Sequence, residues 1–111
     1  MLLARLGYDV AVAVDGIEGV ERASEVRPSV ILMDLAMPNL DGCEATRMIR
    51  RLPDLGDVWI IAITAFTDAS NMKRALAAGC NEVLSKPCPP SVLAEHVERA
   101  FRTRARMREN V

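Results

Sequence analysis

A short apolar run that ends in a carboxylate limits the folds open to this chain more than any other feature. Residues 30–34 read Val-Ile-Leu-Met-Asp, and a loop containing Pro, Asn, Asp and Gly follows through residue 42. Such a run, bounded by turn residues, is typical of a strand that is buried on both faces. Because a buried strand has no packing role for a carboxylate, Asp34 is predicted at the strand's carboxyl end, where open α/β sheets place their ligand crevice.

Two further predicted strands end in polar side chains. Residues 58–63 run into Thr64, and residues 82–85 run into Lys86. Each side chain alone has a structural explanation: a capping Asp34, a buried strand-end Thr64 and a surface Lys86. Together they bring a carboxylate, a hydroxyl and an ammonium to the same edge of a sheet, which favours a functional site.

Helical patterns separate the predicted strands, which include a first strand at residues 10–14. Asp15 and Asp41 are each followed three residues later by Glu, and Asp68 is predicted to cap a third helix. Residues 1–6, followed by Gly7, are predicted to be the last turns of another helix. Alternating strands and helices predict a parallel sheet with helices on both faces. The residues predicted to face inward are Ile17, Val20 and Ala23; Ala45, Met48, Ile49 and Leu52; Met72, Ala75 and Leu76; and Leu93, Val97, Ala100 and Phe101.

Composition narrows the class of protein. The 111 residues suffice for one domain, and a net charge of -1 gives no electrostatic reason to expect direct nucleic-acid binding. Cys43, Cys80 and Cys88 lack CxxC spacing, which favours reduced thiols in the cytoplasm over a disulfide or a zinc site. Charged residues interrupt the apolar N-terminus, so neither a signal peptide nor a membrane span is expected.

Three motifs carry a resemblance to a known family. They are the Asp-x-x-Met-Pro-x-x-Asp-Gly segment 34–42, Thr64-Ala65 and Lys86-Pro87, with 30 residues from Asp34 to Thr64 and 22 from Thr64 to Lys86. The chain resembles the receiver domain of two-component response regulators along nearly its whole length. This resemblance implies a flavodoxin-like doubly wound parallel sheet. It also implies a signalling protein, not a turnover enzyme, that takes a phosphoryl group from a histidine kinase or a phosphotransfer protein.

The resemblance also implies a role for each site residue. Asp34 would accept the phosphoryl group as an acyl phosphate. Thr64 would donate a hydrogen bond to a phosphoryl oxygen, and Lys86 would pair with the phosphate through a cis Lys86–Pro87 bond. Mg²⁺ would be held by Asp34, the backbone carbonyl of Ala36 and an acidic pair that receivers carry upstream.

The chain departs from the family at its start. The family's first strand, with that acidic pair, and most of its first helix have no counterpart upstream of residue 10. We therefore expect an N-terminally incomplete receiver domain over residues 1–106 with a tail at 107–111, weak Mg²⁺ binding, and slow or absent phosphorylation. The missing strand would leave unpaired edges, which predict an edge-paired or domain-swapped homodimer or a rearranged sheet.

Three smaller departures affect the site. Val83 stands where the family usually has an aromatic residue. In the family, the rotamer of that aromatic side chain changes when the threonine contacts the phosphoryl group. Ala36 and Phe66 offer no polar side chain to activate a water molecule. The phosphorylated state is therefore expected to be comparatively long-lived.

Two other functions stay open. One is a receiver-like interaction module that takes no phosphate, and the other is a phosphatase with an aspartate nucleophile, which Ala36 disfavours because such enzymes need an acid there. His96 is predicted to be a partly exposed helix residue rather than a relay histidine. Four arginines lie near the end of the last predicted helix: Arg102, Arg104, Arg106 and Arg108. They are predicted to be solvated side chains at a helix end, and the alternative is that they form a partner surface.

Overall fold

The fold is an α/β sheet with four helices, seen in a computed structural model that describes residues 2–4, 10–12, 15–35, 41–53, 55–65 and 68–109. The strands are β1 (Leu2–Ala4), β2 (Val10–Val12), β3 (Val30–Asp34), β4 (Trp59–Thr64) and β5 (Glu82–Ser85). The helices are α1 (Gly16–Val26), α2 (Gly42–Arg50), α3 (Ala69–Ala78) and α4 (Pro90–Glu109). Within the described part of the chain, no helix is both long and apolar enough to span a membrane.

The sheet has the strand order β2-β1-β3-β4-β5. Strands β3, β4 and β5 are parallel, with Asp34 beside Ile63 and Thr64 beside Ser85. Their carboxyl ends therefore meet at one edge, as the sequence predicts. The doubly wound α/β fold is confirmed for these three strands.

The prediction of a helix at residues 1–6 is wrong where it can be compared. Leu2–Ala4 forms β1, which lies antiparallel between β2 and β3 and pairs with both. A short apolar run does not distinguish helix from strand by periodicity, and the unpaired backbone groups of β3 favour the strand. This position is the one that the missing first strand was expected to leave empty. Of the expected outcomes, the structure therefore shows a rearranged sheet.

The two faces of the sheet are covered unequally. Ile31 and Met33 of β3 pack with α1, α2 and α3 in the larger core, through small buried side chains such as Ala23, Ala45 and Ala75. The other face carries Val30, Leu32 and Ile61, which pack with Ala100 of α4. Alternating residues of one buried strand thus enter two cores.

The predicted inner faces of the helices are partly wrong. Ile17 is 51% exposed, Met48 43% and Leu76 50%, while Met72 is also exposed. Small residues, including Gly19 and Ala78, are buried instead. Glycine and alanine have small side chains, so helices that contact the sheet through them lie close to it. The buried surface of each helix is then narrow, and the larger apolar residues on either side of it extend into solvent.

The ends of the helices follow the sequence closely. Asp15, Asp41 and Asp68 cap α1, α2 and α3 by accepting hydrogen bonds from backbone N–H groups. Gly79 ends α3 with φ 117°, a left-handed conformation that favours glycine. Helix α1 ends before Pro28, as predicted.

Arg50, the last residue of α2, is a structural residue. Its Nη2 lies 2.7 Å from the carbonyl oxygen of Gly79 and 2.8 Å from Oδ1 of Asn81. Its Nη1 donates to the carbonyl oxygens of Gly56, at 3.1 Å, and Val58. One guanidinium thus joins the end of α2 to the segments that precede β4 and β5.

Candidate functional site

An ion pair lies at the carboxyl ends of the parallel strands. Lys86 Nζ is 2.6 Å from Asp34 Oδ2, and the side chains are 42% and 35% exposed, respectively. Asp34 ends β3 and Lys86 follows β5, so β4 separates them in the sheet. The sequence predicted both residues at this edge, and the structure brings their charged groups into contact.

Thr64 lies between these two residues at the end of β4. It is 4% exposed, and its carbonyl oxygen accepts a 2.8 Å hydrogen bond from the backbone N–H of Lys86. The Lys86–Pro87 peptide bond is cis, as the resemblance implied. The three predicted residues therefore occupy adjacent strand ends.

The N-terminus of α2 packs directly against the backbone of Asp34. Gly42 N–H donates to the carbonyl oxygen of Leu35 at 3.2 Å. A Cβ at Gly42 would lie 2.7 Å from Leu35 Cα and 2.8 Å from the Asp34 carbonyl oxygen. Glycine is thus required here by a close backbone approach, and this contact fixes the segment that carries Asp34.

Asp41 links the start of α2 to α3. Its Oδ1 accepts hydrogen bonds from the N–H groups of Cys43, at 2.8 Å, and Glu44, at 3.0 Å, and its Oδ2 lies 3.1 Å from Arg74 Nη2. Partial burial acts to raise the pKa of Asp41, but the Glu44 N–H, the Arg74 charge and the Cys43 N–H together hold this pKa below its ordinary value. The carboxylate form is therefore favoured in the folded protein.

The lowered pKa of Asp41 predicts a pH-dependent contribution to stability. A carboxyl group whose pKa is lower in the folded state stabilises above its unfolded pKa, near 3.8, and loses that contribution as the pH falls through the folded value. Asp41→Ala should lower the free energy of unfolding by about 1 kcal/mol at pH 7, because the cap is lost. Asp41→Asn keeps the capping oxygen and loses only the charge. Urea denaturation from pH 7 downward should show the gap between wild type and Asp41→Asn closing below about pH 4; a gap that stays constant would contradict this.

The described residues offer few ligands for a hard cation. Among them, no three His, Cys, Asp or Glu side chains lie close enough together to hold a metal ion. Asp34 supplies one carboxylate, whereas Mg²⁺ takes about six oxygen ligands and usually retains several waters. Ala36 and Phe66, whose roles were predicted, lie outside the described residues. The site described here therefore does not form a Mg²⁺ cage by itself.

Other predictions concern residues near the site. Val83 is partly buried against the larger core. His96 is partly exposed, as predicted, but its Nδ1 lies 3.0 Å from Oε1 of Glu82, whose Oε2 accepts a 2.9 Å hydrogen bond from Trp59 Nε1. Local sequence patterns carry no signal for these contacts, because Glu82 lies 14 residues from His96 and 23 residues from Trp59.

The cysteines and the arginine tail also have definite environments. All three cysteines are free, and burial raises the pKa of the Cys43 and Cys80 thiols, which favours their protonated, unreactive form. Arg104 is not a solvated tail residue, because it is 8% exposed and its Nη2 lies 3.4 Å from Asp57 Oδ1. Arg102 and Arg106 are exposed, as predicted.

Comparison with known proteins identifies the family. Residues 1–98 match the response regulator receiver domain. The chain is 34% identical over 86 residues to the polar-differentiation response regulator DivK of Brucella anthropi, covering 78% of this chain and 70% of DivK. It is 35% identical over 104 residues to the DNA-binding response regulator MtrA of Mycolicibacterium paratuberculosis, covering 94% of this chain but only 42% of MtrA.

Solved structures agree with the sequence comparison. The receiver domain of sensor histidine kinase PA1611 from Pseudomonas aeruginosa is 40% identical to this chain, with a TM-score of 0.76. The match covers 85% of this chain and 77% of that domain, whose structure has a magnesium ion coordinated in the active-site cleft. Both the sequence match and the strand-end geometry lead to one conclusion: this chain belongs to the response regulator receiver family.

Proposed function

We propose that this receiver accepts a phosphoryl group on Asp34 from a histidine kinase or a phosphotransfer protein. The observation that carries this proposal is the 2.6 Å contact between Lys86 Nζ and Asp34 Oδ2 at the carboxyl ends of the parallel strands. The Asp34 side chain is 35% exposed, so a donor's phosphoryl group can reach it. Family membership supports the same role in two-component signalling.

The proposed transfer is a nucleophilic displacement at phosphorus. An Asp34 carboxylate oxygen forms a bond to the phosphorus of a phosphohistidine while the bond from phosphorus to the imidazole nitrogen breaks. The imidazole leaves with the bonding electron pair and becomes protonated, and Asp34 becomes an acyl phosphate. No general base is needed, because a carboxylate oxygen attacks phosphorus without losing a proton.

Lys86 and Thr64 supply what the transfer needs from the protein. Phosphoryl transfer depends mainly on positioning and charge stabilisation. The Lys86 ammonium is already held beside Asp34 and becomes the cation that pairs with the phosphoryl oxygens. The Thr64 hydroxyl is assigned as a hydrogen-bond donor to one of them. The chain then acts as a self-catalysed acceptor rather than a turnover enzyme.

Metal dependence is the point where this chain should differ from its relatives. Receiver domains bind Mg²⁺ in the active site, as in the PA1611 domain. Here we propose weak binding, because the described residues bring no cluster of three potential metal ligands to the Asp34 side chain. The cytoplasmic location, the homodimer through strand edges and the boundary between residues 106 and 107 remain predictions.

A receiver-like interaction module that takes no phosphate is the second candidate. The described residues hold no group of three side chains that could bind a metal ion, and Val83 replaces the usual aromatic residue; both observations favour this alternative. The contact between Asp34 and Lys86 favours phosphorylation.

Intact-mass measurement after incubation with acetyl phosphate tests the proposal. We expect the wild-type chain to gain one phosphoryl mass slowly, with only a modest increase in rate when Mg²⁺ is added. Asp34→Asn should abolish the gain, whereas Asp57→Asn should not, because Asp57 lies in the loop before β4, away from the site. Removal of acetyl phosphate should then show slow loss of the phosphoryl group.

Each other outcome contradicts a specific claim. Modification of Asp34→Asn would show that another residue is the acceptor. A wild-type chain that stays unmodified at all Mg²⁺ concentrations would overturn the phosphoacceptor role and favour the interaction module. Strong dependence on millimolar or lower Mg²⁺ would show that a metal site exists despite the small ligand set.

A further inference from the structure

An ion pair joins the two helices that follow β3 and β4. Arg74 of α3 places its Nη2 3.1 Å from Oδ2 of Asp41, the residue that caps α2. The two residues lie 33 positions apart in the sequence, so this is a tertiary contact and not a contact within one helix. The side chains are 53% and 40% exposed, so water screens the pair and its effect on any rate is modest.

The Asp41 end of the pair is connected to the segment that carries Asp34. Asp41 directly precedes Gly42, where a Cβ would lie 2.8 Å from the Asp34 carbonyl oxygen. The Gly42 N–H also donates to the carbonyl oxygen of Leu35, the residue after Asp34. Because these backbone contacts are close, a shift of Asp41 toward or away from α3 is transmitted to the Asp34 segment.

The Arg74 end of the pair is connected to Thr64. Helix α3 begins at Ala69, five residues after Thr64, and Arg74 lies in the second turn of this helix. A connection this short limits how far the end of β4 can move independently of α3. The ion pair therefore joins the connection that follows β3 to the helix that follows β4, and Asp34 and Thr64 lie at the ends of these two strands.

On the basis of the phosphoacceptor role proposed above, we propose that Arg74 is a positioning residue for phosphoryl transfer. Its ion pair with Asp41 holds α2 and α3 in the arrangement that keeps the Thr64 hydroxyl in place for the phosphoryl group on Asp34. Neither Arg74 nor Asp41 needs to touch the phosphoryl group. Both act through the backbone segments to which they are attached.

A double-mutant cycle in the rate of phosphorylation tests this role. The rate of mass gain with acetyl phosphate is measured at pH 7 for wild type, Arg74→Gln, Asp41→Asn and the double variant. Each single variant should react about two- to fivefold more slowly than wild type, and the double variant should be no slower than the slower single variant, because all three lack the same pair. Arg74→Lys should restore part of the rate, since an ammonium keeps the charge without the planar geometry. Lys73→Gln is the matched control, because it removes the adjacent exposed cation of α3 and leaves the pair in place.

A second measurement does not depend on phosphorylation. The N–H groups of Gly42 and Lys86 donate to backbone carbonyl oxygens just after β3 and at the end of β4. Hydrogen exchange followed by NMR should be about two- to fivefold faster at both groups in Arg74→Gln than in wild type, and unchanged in Lys73→Gln. The reference is the N–H of Asn81, which donates to a carbonyl oxygen near the start of β4. Its exchange should stay constant, which distinguishes a local effect from a general loss of stability.

The outcomes separate this role from the proposed function. Additive effects of Arg74→Gln and Asp41→Asn, or an equal loss of rate in Lys73→Gln, would overturn the positioning role. Unchanged exchange at both site amides in Arg74→Gln would also overturn it, whether or not the chain is phosphorylated. A wild-type chain that takes no phosphoryl group would overturn the proposed function and the effect of Arg74 on transfer, while faster exchange in Arg74→Gln would still show that the pair holds the two strand ends.

Discussion

Replacing Arg50 by alanine is expected to lower the free energy of unfolding by about 3 kcal/mol. The guanidinium donates to the carbonyl oxygens of Gly79, Gly56 and Val58, and to Asn81 Oδ1. Truncation removes these charge-assisted hydrogen bonds together, and it leaves partly buried acceptors without this donor. The loss should exceed that of an ordinary surface arginine, because several segments are released at once.

Arg47 provides a matched control on the same helix. Its Nη1 lies 2.6 Å from Glu44 Oε1 in an exposed pair, and such pairs contribute about 0.3–0.5 kcal/mol. Urea denaturation followed by the fluorescence of Trp59, the single tryptophan, measures both variants. Arg50→Lys should recover only part of the loss, because an ammonium cannot reproduce the planar guanidinium geometry. Equal effects of Arg50→Ala and Arg47→Ala would show that the Arg50 contacts contribute little.

Replacing Gly42 by alanine is expected to lower the free energy of unfolding by at least about 2 kcal/mol and to slow phosphorylation of Asp34. The added Cβ would lie 2.7 Å from Leu35 Cα and 2.8 Å from the Asp34 carbonyl oxygen. Both atoms belong to the backbone, so relief requires a shift of the segment that carries Asp34. Helix propensity alone predicts the opposite sign, a gain of up to about 1 kcal/mol.

Gly56→Ala separates the steric effect from a general effect of alanine. The nearest heavy atom to a Cβ at Gly56 is the Arg50 carbonyl oxygen at 3.9 Å. This variant should stay within about 1 kcal/mol of wild type, with a small gain from the lower entropy of the unfolded chain. Stability is measured by urea denaturation, and phosphorylation by intact mass. If Gly42→Ala were as stable as Gly56→Ala, the close approach at Asp34 would not constrain the site.

Local patterns predicted the elements that define the site. The run at residues 30–34, the segment ending at Thr64 and the segment ending before Lys86 form three parallel strands in register. Asp15, Asp41 and Asp68 cap helices where the sequence places them. These features depend on contacts between near neighbours or on short apolar runs bounded by turn residues, so the sequence alone predicts them.

Long-range contacts decided the rest. The residues at Leu2–Ala4 form a strand because β3 offers backbone groups that need partners, and that requirement is absent from the local pattern. Arg50 donates to carbonyl oxygens up to 29 residues away, and the residues next to it in the sequence carry no signal for these contacts. The division of the helices between the two faces of the sheet likewise depends on long-range packing. The sequence by itself determined which side chains stand at the strand ends. Only the tertiary structure decided which segment pairs with the free side of β3 and which helices pack on each face of the sheet, because both depend on contacts between segments that are distant along the chain.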